Sequence, residues 1–318
     1  MDGDAATNIC KQVIETISDV VVVDQDVLET VLTGVLSRGH VLVEDVPGTG
    51  KTLTAQSFAS ALGLSFNRIQ FTPDLLPSDI TGSHVYREQQ GAFEFAEGPI
   101  FANVVLADEI NRAPPKTQAA LLEAMSEGQV SADGTTYQLP DPFFVIATQN
   151  PVEQEGTFAL PEAQRDRFIL KTTLGYPDTE GMATILDRRI DRTARTPSPQ
   201  RVVDGEVVSE LQMVPERVAV DDGIRDYIIA LGEATRADER VEVGVSPRGI
   251  QRLLEASRSH ALIQGREYVA PDDIKAIVSE AFIHRLVLTA DATVRDVSPQ
   301  AVVADVVDHV EVPAVAVE

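Results

Sequence analysis

The segment Val43-Glu44-Asp45-Val46-Pro47-Gly48-Thr49-Gly50-Lys51-Thr52 leaves this chain few folds to choose from. It continues a short apolar run, His40–Glu44, that reads as a strand. It leads into Thr52–Leu62, whose composition is helical and which closes at Gly63, a residue suited to the position after a helix. Strand, glycine turn and helix in that order make an anion cradle. The glycines let main-chain N–H groups approach phosphate oxygens, and the helix N-terminus adds unpaired donors and a positive dipole end. Val46, Pro47, Gly48, Thr49, Gly50 and Leu53 are the expected cradle residues. Lys51 would reach the β- and γ-phosphates, and the Thr52 hydroxyl would hold Mg²⁺. ATP and Mg²⁺ are therefore the expected ligands. Asp45 stands where G-x-x-x-x-G-K-T has its first glycine. Aspartate tolerates unusual φ better than most residues, and the position precedes the tightest part of the loop. The dinucleotide fingerprint G-x-G-x-x-G fails, because Leu53 replaces its third glycine.

The next 120 residues alternate strand-like and helix-like segments. Phe66–Phe71, Val104–Ala107, Phe143–Thr148 and Phe168–Thr173 read as strands, and Lys116–Glu127 as a helix closed by Gly128. Short apolar strands separated by helices predict a parallel sheet covered on both faces, an α/β fold. Gly82–Gly98 and Gln129–Leu139 read as hairpin insertions, the second carrying an Asp133-Gly134 turn signal. The strand Val104-Val105-Leu106-Ala107 ends in Asp108-Glu109, with Asp108 lying 57 residues after Lys51. Parallel sheets place ligands at the carboxyl ends of their strands. Asp108 would position Mg²⁺ through water, and Glu109 would orient and activate an attacking water. By itself, an apolar strand ending Asp-Glu also fits an acid at a helix start.

With both motifs placed, the chain resembles an AAA+ ATPase of the MoxR family, from about Val22 to Leu288. The most specific stretches are Ala107–Gln118 with Leu121–Met125, Ala147–Pro151, Leu160–Gln164 with Asp166-Arg167-Phe168, and Ser246-Pro247-Arg248. The resemblance implies an αβα core with a small all-α lid, assembled as a hexameric ring that remodels a protein client, often with a von Willebrand factor A domain partner. It implies that Asn150 senses the γ-phosphate and that Arg167 enters the neighbouring subunit's site as an arginine finger. Arg165 is a competing candidate for that role. It also implies that Arg248 closes over the nucleotide from the lid, and that Val22, Val23, Asp24 and Gln25 flank the adenine.

The expected divisions are a nucleotide-binding core over 1–175, a helical lid over 176–290 with a linker around 196–212, and an acidic tail over 291–318. In the lid, Thr179–Asp191, Ile224–Thr235, Ser246–Gln264 and Pro271–Leu288 read as helices, and strands are hard to find. Fifty acidic against 26 basic residues leave a net charge of −24, spread along the whole chain. That spread reads as a solvated acidic surface, like those of proteins in a high-salt cytoplasm, where self-repulsion is screened. It speaks against nucleic-acid binding, which needs a basic footprint. One cysteine, Cys10, excludes an internal disulfide, and no apolar stretch is long enough to span a bilayer. A soluble cytoplasmic protein is expected. The five histidines show no metal-ligand spacing.

Overall fold

A computed structural model describes residues 1–89, 91–132, 134–151, 157–191 and 198–313. Two helices open the chain, α1 (Gly3–Ser18) and α2 (Gln25–Leu36). The first starts where the Asp2 carboxylate accepts the Ala5 N–H at 2.8 Å. The core follows as β1 (Val41–Glu44), α3 (Lys51–Ala61), β2 (Phe66–Gln70), α4 (Pro77–Thr81), β3 (Gly82–Arg87), β4 (Ala92–Glu97), β5 (Val104–Asp108), α5 (Pro115–Glu127), β6 (Gln129–Ala132), β7 (Thr135–Gln138), β8 (Phe144–Gln149), α6 (Glu162–Arg165) and β9 (Leu170–Thr172). Then come α7 (Thr179–Asp191), α8 (Gly205–Leu211), α9 (Asp222–Ala237), β10 (Val241–Val243), α10 (Pro247–Ile263), α11 (Pro271–Phe282), β11 (Val287–Leu288), α12 (Ala290–Val294) and α13 (Pro299–His309).

The main sheet is parallel in the order β2-β5-β8-β1-β9, as the alternation of segments predicts. Because side chains alternate across a pleated strand, each strand feeds two cores. Val41, Val43, Val104, Leu106, Phe144 and Ile146 join a core with α1, α2, α3 and the helices after residue 205. Leu42, Val105, Ala107, Val145 and Ala147 face the other way, with Leu121 and Leu122 of α5. Every residue of β5 is buried, which explains its unbroken apolar sequence. The two insertions are antiparallel hairpins, β3–β4 and β6–β7, stacked on one another through Phe95 and Tyr137, whose rings lie 3.8 Å apart. Asp133 of the expected turn lies outside the described residues.

Two expectations need correction. The 291–318 stretch holds all but the first residue of α12 and the whole of α13. Ser298 caps α13 by accepting the Ala301 N–H, and Val302, Val303 and Val306 are buried against the lid. Its Val/Asp/Ala composition hides a helix whose apolar face is narrow. Residues 314–318 lie outside the described set. The expected linker around 196–212 contains α8, and Val202 and Val203 donate main-chain hydrogen bonds to the Ala61 carbonyl at the end of α3. Of that stretch, 196 and 197 are outside the described residues. The lid also has a short antiparallel pair, β10–β11. Among the described residues, no helix is long and apolar enough to cross a membrane.

Buried polar groups tie the layers together. Cys10 sits in the core, and burial pushes its thiol up to about 12. His40, just before β1, donates from Nε2 to the Met125 carbonyl at 2.9 Å and accepts the Val145 N–H at Nδ1, 3.1 Å away. Burial pulls His40 down to about 4, against the opposing pull of the Met125 carbonyl. His284 is held well below its ordinary value by the same cause. An unfolded chain takes up the His40 proton near pH 6.5 and the folded chain only near 4. Stability should therefore be full above pH 6.5 and fall as pH drops towards 4, by about 3 kcal/mol for His40 at 1.36 kcal/mol per tenfold change. Urea midpoints at pH 7 and pH 4.5 measure this, and the difference should shrink in His40→Gln.

Candidate functional site

The glycine turn between β1 and α3 has the geometry that its sequence demands. Gly48 and Gly50 have φ of 93° and 94°, a left-handed conformation open to glycine at little cost. A Cβ built at either one meets no heavy atom within 4 Å, so the loop has free space beside its main chain. Lys51 begins α3, and its Nζ donates to the carbonyls of Asp45 and Val46 at 2.8 and 3.1 Å. Val46, Pro47, Gly48, Lys51 and Thr52 are partly or fully exposed along this turn, Thr49 is buried, and Leu53 packs inward against the core.

Asp45 answers the question posed by the missing glycine. It has no positive φ, so a side chain is admissible there. Its carboxylate accepts the N–H groups of Val46 at 2.7 Å, Leu174 at 3.0 Å and Gly175 at 2.9 Å. The glycine turn is thereby fastened to the strand exit that leads into α7. Beside this exit, Val22, Val23, Asp24, Leu174, Tyr176 and Gly181 help to line a cavity of about 250 Å³. Three of these are among the residues expected to flank adenine.

The acids at the tip of β5 are held by neighbouring strands. Thr148 of β8 donates to Asp108 Oδ1 at 2.5 Å and accepts the Glu109 N–H at 2.9 Å. Arg68 of β2 donates twice to Asp108 Oδ2, at 2.6 and 3.1 Å. Glu109 leaves the strand in a left-handed conformation, φ 57° and ψ 49°, uncommon for a residue with a side chain. Its Oε2 accepts from Gln70 Nε2 and from Arg112 Nη1, both at 3.0 Å. Asn150 is buried directly after β8, the central strand, which lies between β1 with its glycine turn and β5 with its acids. The Asp45 N–H donates to the Gln149 carbonyl at 3.1 Å, joining the tips of β1 and β8. Lys51, Thr52, Asp108, Glu109 and Asn150 thus share one edge of the sheet.

Three expected residues stand apart. Arg167 donates to the Leu122 carbonyl at 2.5 Å and to Ser126 Oγ, so it lies on the last turns of α5. Arg165 has its Nε buried with no hydrogen-bond partner among the described residues. Arg248 is exposed in the first turn of α10, which Pro247 starts and Ser246 caps through the Gly249 N–H.

The comparisons with known proteins agree with this geometry. Residues 40–170 match the ATPase family associated with various cellular activities (AAA), and residues 233–306 match an AAA lid domain. Chaperone MoxR1 of Mycobacterium tuberculosis is 44% identical over 93% of this chain and 80% of its own. The chain belongs to the MoxR family of AAA+ ATPases. YeaC of Bacillus subtilis is 45% identical over 94% of this chain and 93% of its own. A solved structure from Cytophaga hutchinsonii, 38% identical, superposes with a TM-score of 0.91 over 98% of this chain and 97% of that one.

For this MoxR-family chain, sequence reasoning missed Arg68, Gln70 and Thr148. All three are polar residues near the carboxyl ends of strands, which is the signal that could have found them. Arg68 occupies Asp108 Oδ2, so a cation held by that carboxylate would have to compete with it. A partly exposed ion pair contributes up to about 1 kcal/mol. Arg68→Gln should then lower the Mg²⁺ concentration for half-maximal activity by up to about fivefold. A Mg²⁺ titration that shifts the other way would make Arg68 an orienting group instead.

Proposed function

We propose that this chain binds ATP with Mg²⁺, hydrolyses it to ADP and phosphate, and uses the cycle for chaperone-like remodelling of a protein complex. The observation that carries this reading is the shared sheet edge. A glycine turn with open space beside it lies one strand away from Asn150 and two strands away from a carboxylate pair. The donor chemistry fits the ligands. The Thr52 hydroxyl and the Asp108 carboxylate are hard oxygens of the kind Mg²⁺ prefers, with phosphate and water completing its shell. When bound, that ion would supply positive charge beside the phosphates. The amides of Val46 to Thr52 and the Lys51 ammonium would hold the triphosphate, with adenine in the cavity by Val22 and Tyr176. Glu109 would orient the attacking water once it turns from Gln70 and Arg112, and Asn150 would hydrogen-bond γ-phosphate and water. Arg167 would complete a neighbour's site in a hexameric ring, and Arg248 would close the lid.

A protein client is favoured over nucleic acid by the −24 charge and by the exposed Val85, Tyr86 and Phe93 on the β3–β4 hairpin. A partner with a von Willebrand factor A domain is one candidate. The test has two parts. Phosphate release should follow ATP addition in wild-type protein and need Mg²⁺. The ATP-bound Glu109→Gln protein should retain a polypeptide on pull-down, whereas tight, salt-sensitive uptake of single-stranded DNA would point to a nucleic-acid motor instead.

A further inference from the structure

The turn after α11 holds two buried polar side chains that the phosphate site does not use. His284 and Arg285 are 1% and 3% exposed. Arg285 Nε donates to Asp166 Oδ1 at 2.7 Å, Nη2 to the Phe168 carbonyl at 2.7 Å, and Nη1 to the Ile169 carbonyl at 3.1 Å. Nη1 also reaches the Ala281 carbonyl in the last turn of α11. His284 Nε2 donates to the Phe168 carbonyl as well, at 3.0 Å. The lid therefore grips the main chain on the C-terminal side of Arg167 and the side chain of the residue before it. The Arg167 guanidinium meanwhile rests on α5.

Arg285 also touches the lid helix that carries Arg248. A Cβ built at Gly249 would lie 2.8 Å from Arg285 Cδ and 3.1 Å from its Nε, so α10 packs directly on the arginine stem. Contacts run without a gap from the first turn of α10, through Arg285 and Asp166, to Arg167. Stability alone gives no reason for this arrangement, because apolar residues of similar volume often replace buried ion pairs without loss. What the guanidinium adds is geometry. Its planar fork of five donors fixes a carboxylate and several carbonyls in one arrangement.

We propose that Arg285 is the positioning residue for Arg167, linking the lid that senses one subunit's nucleotide to the cation offered to the next subunit. The inference rests on the proposed function, in which Arg248 meets nucleotide in its own subunit and Arg167 acts in its neighbour. A shift of about 1 Å in a catalytic group can cost about 10²-fold in rate. In assembled full-length protein, Arg285→Gln should lower kcat by about that factor with KM nearly unchanged, the mark of an interaction made in the transition state. The double variant Arg167→Ala/Arg285→Gln should be no slower than Arg167→Ala alone. Asp166→Asn, which keeps the side-chain size, should behave in the same way and serves if Arg285→Gln fails to fold. A merely structural role predicts otherwise: effects that multiply in the double variant, or folded Arg285→Gln protein with wild-type kcat. Either result overturns the proposal. Wild-type protein that hydrolyses no ATP would instead refute the reading of the site. An active wild type, an inactive Arg167→Ala and a fully active Asp166→Asn would refute only this inference.

Discussion

Alanine in place of Arg167 should lower kcat for ATP hydrolysis by about 10³-fold or more while leaving ATP affinity nearly unchanged, the range in which arginine fingers act. The reason lies in where the side chain is anchored. Its hydrogen bonds go to Leu122 and Ser126 on α5, and not to the sheet edge that carries Lys51, Asp108 and Glu109. On the proposed function a cation anchored there would serve hydrolysis in another subunit, so turnover per chain should rise with protein concentration until assembly is complete. Mixing gives the decisive measurement. Arg167→Ala and Glu109→Gln proteins, each inactive alone, should regain activity when combined, because some sites then pair an intact Glu109 with a neighbour's intact Arg167. Unchanged turnover in dilute monomer, or no recovery on mixing, would remove Arg167 from this role and bring Arg165 forward.

Glu109→Gln should bind ATP like the parent and release phosphate about 10²- to 10⁴-fold more slowly, the usual contribution of a positioned general base. The amide keeps the size and the hydrogen bonds available to Gln70 but cannot take a proton. Nucleotide binding by calorimetry, set beside single-turnover phosphate release, separates this from a binding defect. Lys51→Ala should show the opposite division, because its ammonium sits on the loop itself and, on the proposed function, would hold the phosphates throughout the cycle. A Glu109→Gln protein that cycles at the parent rate would mean that the carboxylate orients nothing.

The parts of the site that the sequence made legible are those in which function and local pattern coincide. The glycine turn needs residues adjacent in the chain, so Val46 to Thr52 could be read directly. The Asp108-Glu109 pair ends an unbroken apolar strand, and that run is itself the sign of burial on both faces. What stayed hidden depends on strand register. Arg68 meets Asp108 only because β2 pairs with β5 in the register Gln70 to Asp108, and Thr148 only because β8 lies on the other side. The same limit hid Asp45, whose three N–H partners include two residues about 130 positions away. Helix α13 was hidden by composition, since a valine-rich stretch with a narrow apolar face has no strong helical period. Arg285 would have read as one more surface arginine, whereas the fold buries it against Asp166.

By itself, the sequence determined the α/β class, the alternation of strands and helices in the core, the glycine turn and the acids at a strand tip. Each of these follows from residues within one turn or one strand of each other. Only the tertiary structure decided which polar side chains hold those acids, how Asp45 joins the loop to the lid connection, and how the lid grips the segment around Arg167. Such contacts join residues far apart in sequence, and their partners are set by sheet register and helix packing, which no local pattern encodes.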